Sequence, residues 1–125
     1  MLVIEMDCIF CKIVKGEIPS YKIYEDDMIM AFLDVNPVSP GHTLIIPKEH
    51  TLDFFSISKE TLDIIINKAK EIGNLLIDKL DADGITLIQN NGISQEVKHF
   101  HLHLIPKYRR KINISIEDAY KMIME

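Results

Sequence analysis

Residues 99–105 read His-Phe-His-Leu-His-Leu-Ile. Imidazole and apolar side chains alternate through the first six of these positions, and only an extended strand puts successive residues on opposite faces. The pattern therefore predicts a strand over Val97–Ile105, stopped by Pro106. His99, His101 and His103 share one face, and Phe100, Leu102 and Leu104 share the other. The chain must then build a sheet whose apolar side is covered and whose other side presents a row of titratable rings. Three buried imidazoles without partners would cost too much to arise from packing alone, so the row reads as functional. Residues two apart on a strand are separated by about 6.6 Å, which places the outer rings about 13 Å apart. A single metal with Zn–N bonds of about 2 Å does not span that distance, so the three rings divide their labour.

The rest of the sequence supplies a frame for this strand. Tyr21–Tyr24 and Met28–Leu33, separated by Glu25-Asp26-Asp27, read as a hairpin. Asp34–Gly41 contains two prolines and a glycine and reads as a loop, followed by a third strand over His42–Ile46, ended by Pro47. Ser58 can cap a helix running to about Leu80, with Leu62, Ile65, Ile66, Ala69, Ile72, Leu76 and Leu80 at helical spacing. Ile85–Gln89 forms a fourth strand. Ser115 can cap a terminal helix over Ile116–Met124, whose first turn carries Glu117 and Asp118. Cys8–Val14 has mixed helical spacing and reads as a short helix or turn. The sum is an α+β fold: an antiparallel five-stranded sheet with one long helix and short terminal helices, the helices on one side.

Length and charge narrow the function. With 125 residues the chain is expected to form one domain, 1–125, with a substantial core. Its 14 basic and 19 acidic residues give a net charge of −5, which disfavours general binding to nucleic acid, because phosphate neutralisation needs a basic face. Small anions remain accessible to loop amides and helix ends. No apolar run is long enough to span a bilayer, so no membrane partner is expected. Met1–Asp7 carries Glu5 and Asp7 and lacks a basic stretch of the kind that opens a signal peptide, so a cytoplasmic location is expected. In that reducing compartment Cys8-x-x-Cys11 suggests metal or redox chemistry. It is a half-site for tetrahedral zinc and needs two further ligands. A redox dithiol is the weaker alternative, since no βαβ pattern surrounds the pair.

The sequence His99-Phe100-His101-Leu102-His103-Leu104-Ile105 resembles the signature of the histidine triad (HIT) family of nucleotide hydrolases and transferases. Cys8-Ile9-Phe10-Cys11-Lys12-Ile13 with Glu17-Ile18-Pro19 is similar to the amino-terminal motif of its Hint-like, phosphoramidase branch, in the prokaryotic form that carries C-x-x-C. Ala31–Pro37 resembles that branch's nucleoside-binding strand, and Gly41–His50 its next strand. Asn90-Asn91-Gly92 and Gln95-Glu96-Val97 resemble the approach to the triad. The matches occur in the family's order along nearly the whole chain.

The resemblance implies that His101 attacks the α-phosphorus of a purine nucleotide or nucleotide conjugate. A nucleotidyl-histidine would form, and water would then release the nucleoside monophosphate. An imidazole suits the task, because its ordinary pKa of about 6.5 leaves much of it neutral near neutral pH. In the family its second ring nitrogen donates to a backbone carbonyl of the same strand. His103 and His42 are candidates for holding the phosphate oxygens or the triad itself. Asn90 falls at a polar position facing the phosphate, and Gln95 near the reacting group. Glu96 stands where many eukaryotic relatives have serine or threonine. It is either a proton donor to the leaving group or a solvated strand-edge carboxylate. Only Ile93 and Ser94 separate Gly92 from Gln95, a shorter loop than in most relatives, so leaving-group preference can shift.

Asp34 is the candidate for accepting both ribose hydroxyls, the alternative being a loop carboxylate capping its own backbone. Ile9, Phe10, Ile13, Phe32 and Val35 match the base pocket, and each could equally be core. Some prokaryotic relatives place zinc on the positions of Cys8, Cys11, His50 and His99, which implies a structural zinc site here and no catalytic metal. A homodimer is implied as well. The leading reading is thus a nucleoside phosphoramidase-type hydrolase. Alternatives are a dinucleoside polyphosphate hydrolase, a nucleotide-binding regulatory module with incidental hydrolysis, and a metal-dependent hydrolase using a His-x-His pair.

Overall fold

The computed structural model describes residues 8–125; Met1–Asp7, the stretch read above for a targeting signal, lies outside the described residues. A short helix α1 (Ile9–Val14) precedes β1 (Lys22–Glu25), β2 (Ile29–Leu33) and β3 (Thr43–Pro47). The long helix α2 (Lys59–Leu80) follows, then β4 (Gly84–Ile88), a 3₁₀ turn over Gly92–Ser94, β5 (Leu102–Lys107) and α3 (Ile116–Met124). The strands form one antiparallel sheet in the order β1-β2-β3-β5-β4. Among the described residues no helix is long and apolar enough to cross a membrane.

Local chemistry explains the boundaries. Asp26 closes the β1–β2 hairpin, its Oδ1 accepting from the amides of Met28 and Ile29 at 2.8 and 2.9 Å. Ser58 caps α2 by accepting from the Thr61 amide, and Ser115 caps α3 by accepting from the Asp118 amide. Helix α2 buries Ile65, Ala69, Ile72, Leu76 and Leu80 against Ile29, Ala31, Leu33, Ile45, Leu102 and Leu104 of the sheet. Gly41, at φ +90°, carries the β2–β3 loop over the end of α2; a Cβ there would lie 2.4 Å from Leu80 Cδ1. A glycine is required at that approach.

Two features differ from the sequence expectation. The sheet is covered on both faces, not one. Apart from Thr43, β2 and β3 are apolar without alternation, and every residue in them is buried. Their second set of side chains, Met30, Phe32, Leu44 and Ile46, packs with Phe10, Cys8 and Cys11 of the α1 region. A continuous apolar strand demands cover on both sides.

The last strand also starts later and ends later than expected, at Leu102–Lys107 instead of Val97–Ile105. Pro106 lies within it, opposite Ile85. Its carbonyl accepts from Ser39 Oγ, so its nitrogen faces the same flank, where a loop passes and the β3 ladder has already ended at Thr43. No ladder donor is missing there, and proline is tolerated. At the other end, His99 and His101 precede the ladder. The Phe100 amide is instead taken by the Thr51 carbonyl at 2.7 Å.

Candidate functional site

His103 pairs with Leu44 of β3 and Ile88 of β4, and Leu44 in turn pairs with Phe32. Cross-strand partners share a face, so His103 stands on the α1 side of the sheet. His101, two residues earlier, points the same way. Its ring lies 4.8 Å from that of His103 and 5.0 Å, edge to face, from that of Phe10 in α1. Phe100 packs on the opposite, α2 side. The period-two division of faces thus holds even where the ladder does not.

The hydrogen bonds assign each ring its proton. Carbonyls only accept, so a ring nitrogen facing one must carry hydrogen. His101 Nδ1 lies 2.8 Å from the His99 carbonyl and therefore donates, which leaves a lone pair on Nε2. His99 Nε2 donates to the Pro47 carbonyl at 2.8 Å, which leaves its lone pair on Nδ1. On the other flank, the Val38 amide donates to His42 Nδ1 at 3.0 Å. Neutral His42 then carries its proton on Nε2 and donates it to His103 Nδ1, 2.9 Å away. His103 is left with an Nε2–H donor. The site so offers one nucleophilic nitrogen, on His101, beside one hydrogen-bond donor, on His103.

Burial keeps these rings neutral. It depresses the His101 pKa, opposed in part by the His99 carbonyl and by the carboxylates of Asp34 and Glu96. His103 is pushed down to about 4, by burial first and then by His101 and His42, with Asp34 opposing. His42 is lowered mainly by burial, with Asp34 opposing and His101 and Lys107 adding to the depression. The sign of the consequence is fixed. Between about pH 4 and about 6.5 the unfolded chain binds a proton at position 103 that the folded chain refuses, so stability falls as pH falls through that window and is fully present above it. The urea midpoint of the metal-saturated protein is therefore expected to drop from pH 7 toward about pH 5. The drop should be shallower in His103→Asn, and equal slopes in the two proteins would contradict the assignment.

A second cluster sits behind the first. One ligand atom from each of Cys8, Cys11, His50 and His99 lies within 4.8 Å of the others. Cys8 Sγ is 3.4 Å from His99 Nδ1, and Cys11 Sγ is 3.3 Å from His50 Nδ1 and 3.6 Å from His99 Nδ1. Zinc bonds of about 2.3 Å to sulfur and 2.0–2.1 Å to nitrogen, at tetrahedral angles, put S and N about 3.6 Å apart. The observed separations are close to the edges of such a tetrahedron. The His99 lone pair is aimed at both sulfurs because its other nitrogen is held by Pro47, the outer support usual for a metal-bound imidazole. These residues fit zinc.

The remaining candidates are arranged around the two clusters. Asp34 Oδ1 accepts from the Asn36 amide at 2.8 Å, while its Oδ2 faces His42 Nε2 at 3.7 Å. One oxygen shapes the loop and the other faces the imidazole row. Phe10 and Phe32 are buried with ring centroids 5.6 Å apart, Ile13 is partly buried against the same cluster, and Ile9 and Val35 are exposed. Gln95 is buried; its Nε2 donates to the Leu52 carbonyl at 2.6 Å, and its Oε1 has no partner among the described residues. Glu96 is exposed, and its charge reaches His101. Asn90 is partly buried and its carbonyl accepts from Gln89 Nε2 at 3.0 Å.

Several contributors were invisible in the sequence. The Val38 amide and the Pro47 carbonyl set two ring protons, yet backbone groups carry no sequence signal. Asn91 Oδ1 accepts from the Phe54 amide at 2.9 Å, and Lys98 Nζ donates to the Gly92 carbonyl at 2.7 Å, together bracing the loop before Gln95.

The chain is similar to known proteins in sequence and in fold. The profile of the HIT domain matches residues 15–110. An uncharacterised HIT-like protein of Methanocaldococcus jannaschii is 46% identical over 81% of this chain and 79% of its own length. An adenosine 5'-monophosphoramidase of Schizosaccharomyces pombe is 39% identical, covering 89% of this chain and 82% of itself. The crystal structure of a zinc-bound histidine triad family protein from Mycobacterium smegmatis superposes with a TM-score of 0.88 at 33% identity, over 96% of this chain and 92% of that one. A row of imidazoles at the head of an inner antiparallel strand, matched in sequence over most of the chain and in backbone over nearly all of it, places the protein in the histidine triad (HIT) family.

Proposed function

We propose that the protein is a nucleotide hydrolase of the phosphoramidase type, acting on purine nucleotides joined to an amine through the α-phosphorus. The observation that carries this reading is the His101 Nδ1–H···O=C bond to His99, which leaves Nε2 unprotonated and able to attack. That lone pair attacks the α-phosphorus. The P–N bond breaks, its electron pair leaves with the amine nitrogen, and that nitrogen takes up a proton. Water then attacks the nucleotidyl-His101, the imidazole departs, and the nucleoside monophosphate is released. Splitting one displacement into two is the advantage of a covalent nucleophile. The His103 Nε2–H, held by His42, supplies a fixed donor to the phosphoryl oxygens, where charge develops. Gln95 approaches the same group. Glu96 and Asn90 border it, and Glu96 in its protonated form donates the leaving-group proton.

Asp34 Oδ2 receives the ribose hydroxyls, and Phe10, Phe32, Ile9, Ile13 and Val35 form the base pocket. Cys8, Cys11, His50 and His99 would hold a structural zinc ion that cross-links α1 to the strand ends. The name of the S. pombe relative supports the P–N specificity. Rates on adenosine phosphoramidate and on diadenosine polyphosphate test it. The phosphoramidate is expected to turn over at least about tenfold faster in kcat/KM, and the reverse order would replace this reading with a dinucleoside polyphosphate hydrolase. Turnover far below about 1 s⁻¹ on both would instead indicate a nucleotide-binding regulatory module.

We further propose a homodimer. β4 is an edge strand, and beside it the outer face of α2 exposes Ile66 and Ile77, with Leu87 of β4 on the same side of the sheet. An exposed apolar edge of this kind is normally paired or covered. A second copy would cover it about a two-fold axis. Sedimentation equilibrium is expected to return twice the 14.4 kDa chain mass, and Ile77→Glu is expected to shift it toward the monomer.

A further inference from the structure

The two clusters share one residue. His99 is fully buried, and its imidazole Nδ1 belongs to the Cys8/Cys11/His50 set. Its main-chain carbonyl holds the Nδ1–H of His101 at 2.8 Å. The placement of that carbonyl is not secured by the sheet, because the β3–β5 ladder begins only at Leu102. It is secured by the His99 amide on the Val97 carbonyl at 2.8 Å, by the Phe100 amide on the Thr51 carbonyl, by the His99 ring on the Pro47 carbonyl, and by whatever fixes the other side of that ring.

A second connection runs in parallel. Phe10 sits between Cys8 and Cys11 on α1, a helix of only six residues. Its ring lies edge to face against both His99, at 5.8 Å, and His101, at 5.0 Å. A six-residue helix has little stability of its own and depends on tertiary anchors. Cys8 and Cys11 are such anchors, and they flank Phe10, whose ring packs on that of the nucleophile.

We propose that the Cys8/Cys11/His50/His99 centre, when it holds its metal, positions the nucleophile: His99 and Phe10 are positioning residues that fix the orientation of the His101 ring. The proposal rests on the reading of His101 as the attacking group, and it adds a role in rate to a site otherwise assigned to structure. A misorientation of a nucleophile by a fraction of an ångström to an ångström costs rate without abolishing binding. Loss of the metal therefore lowers the rate constant for forming nucleotidyl-His101, while nucleotide affinity changes little. Because the effect is geometric, any divalent ion that accepts a tetrahedral S₂N₂ site restores it.

The test is rapid-quench measurement of nucleotidyl-His101 formation from an α-labelled adenosine phosphoramidate. It compares zinc-loaded, zinc-stripped and cadmium- or cobalt-reconstituted protein, with the equilibrium Kd for AMP measured on each. Stripping is expected to slow formation by about 10- to 100-fold with a change in Kd under about threefold, and cadmium or cobalt should restore the zinc rate within about threefold. In His50→Asn, which loses a ligand that does not bond His101, the formation rate should rise with metal occupancy as zinc is titrated in. That variant keeps the test valid should the stripped protein unfold. Equal formation rates with and without metal would overturn the proposal and leave His101 as nucleophile. Rates that change by orders of magnitude with the identity of the ion would overturn it in favour of Lewis-acid chemistry. Absence of the intermediate in every state would overturn this proposal and the reading beneath it together.

Discussion

His101→Ala and His101→Asn are each expected to lower kcat on adenosine phosphoramidate by at least about 10⁴-fold while AMP binds within about threefold of the wild-type affinity. The argument is one of position. His101 Nε2 carries the lone pair left by the bond to the His99 carbonyl, whereas His103 has given its Nδ1 to His42 and shows the site a proton. The neighbouring ring therefore cannot replace the missing nucleophile without reversing the His42–His103 bond. Asparagine preserves a donor near the position of the imidazole N–H but offers no attacking nitrogen, so it removes chemistry and spares packing. Undiminished turnover by either variant would dispose of the covalent mechanism. The complementary His103→Asn change keeps the nucleophile, loses a fixed donor, and is expected to cost less than the loss of His101.

Zinc is expected to dominate the stability of the protein. An ion bound only to the folded state, supplied at about 1,000 times its dissociation constant, adds about 4 kcal/mol, equivalent to a shift in Tm on the order of 15 °C for a domain of this size. Scanning calorimetry with zinc and with a strong chelator should show this difference in the wild type. It should nearly vanish in Cys11→Ser, because a tetrahedral site with three protein ligands binds far more weakly. The physical basis is the set of sulfur–nitrogen separations of 3.3 to 3.6 Å, which lie close to the edges of a zinc tetrahedron. A chelator without effect on Tm would show that thiols and imidazoles alone hold α1 against the sheet.

Much of this was legible before any coordinates. The alternation at 99–105 separated His101 and His103 from Phe100, Leu102 and Leu104, and the structure puts the two groups on opposite sides of the sheet. Ser58 and Ser115 were readable as caps because their side chains act on amides only three residues away. Such signals are local, and local chemistry survives in a one-dimensional record.

What misled was also local. Pro106 looked like a strand terminator because proline lacks an amide hydrogen, yet the flank it faces carries a loop and asks for none. Helices on a single side followed from the long amphipathic helix alone. The unbroken apolar runs of β2 and β3, which required a second cover, did not reveal that the segment around Cys8 would provide it.

The amino-acid sequence by itself determined which side chains could do chemistry and on which face of a strand they would stand, since both depend on residue type and a two-residue repeat. Only the tertiary structure decided which nitrogen of each ring bears the proton. That choice belongs to the Val38 amide and to the carbonyls of Pro47 and His99, backbone groups that recur along every chain and are made specific solely by where the fold brings them.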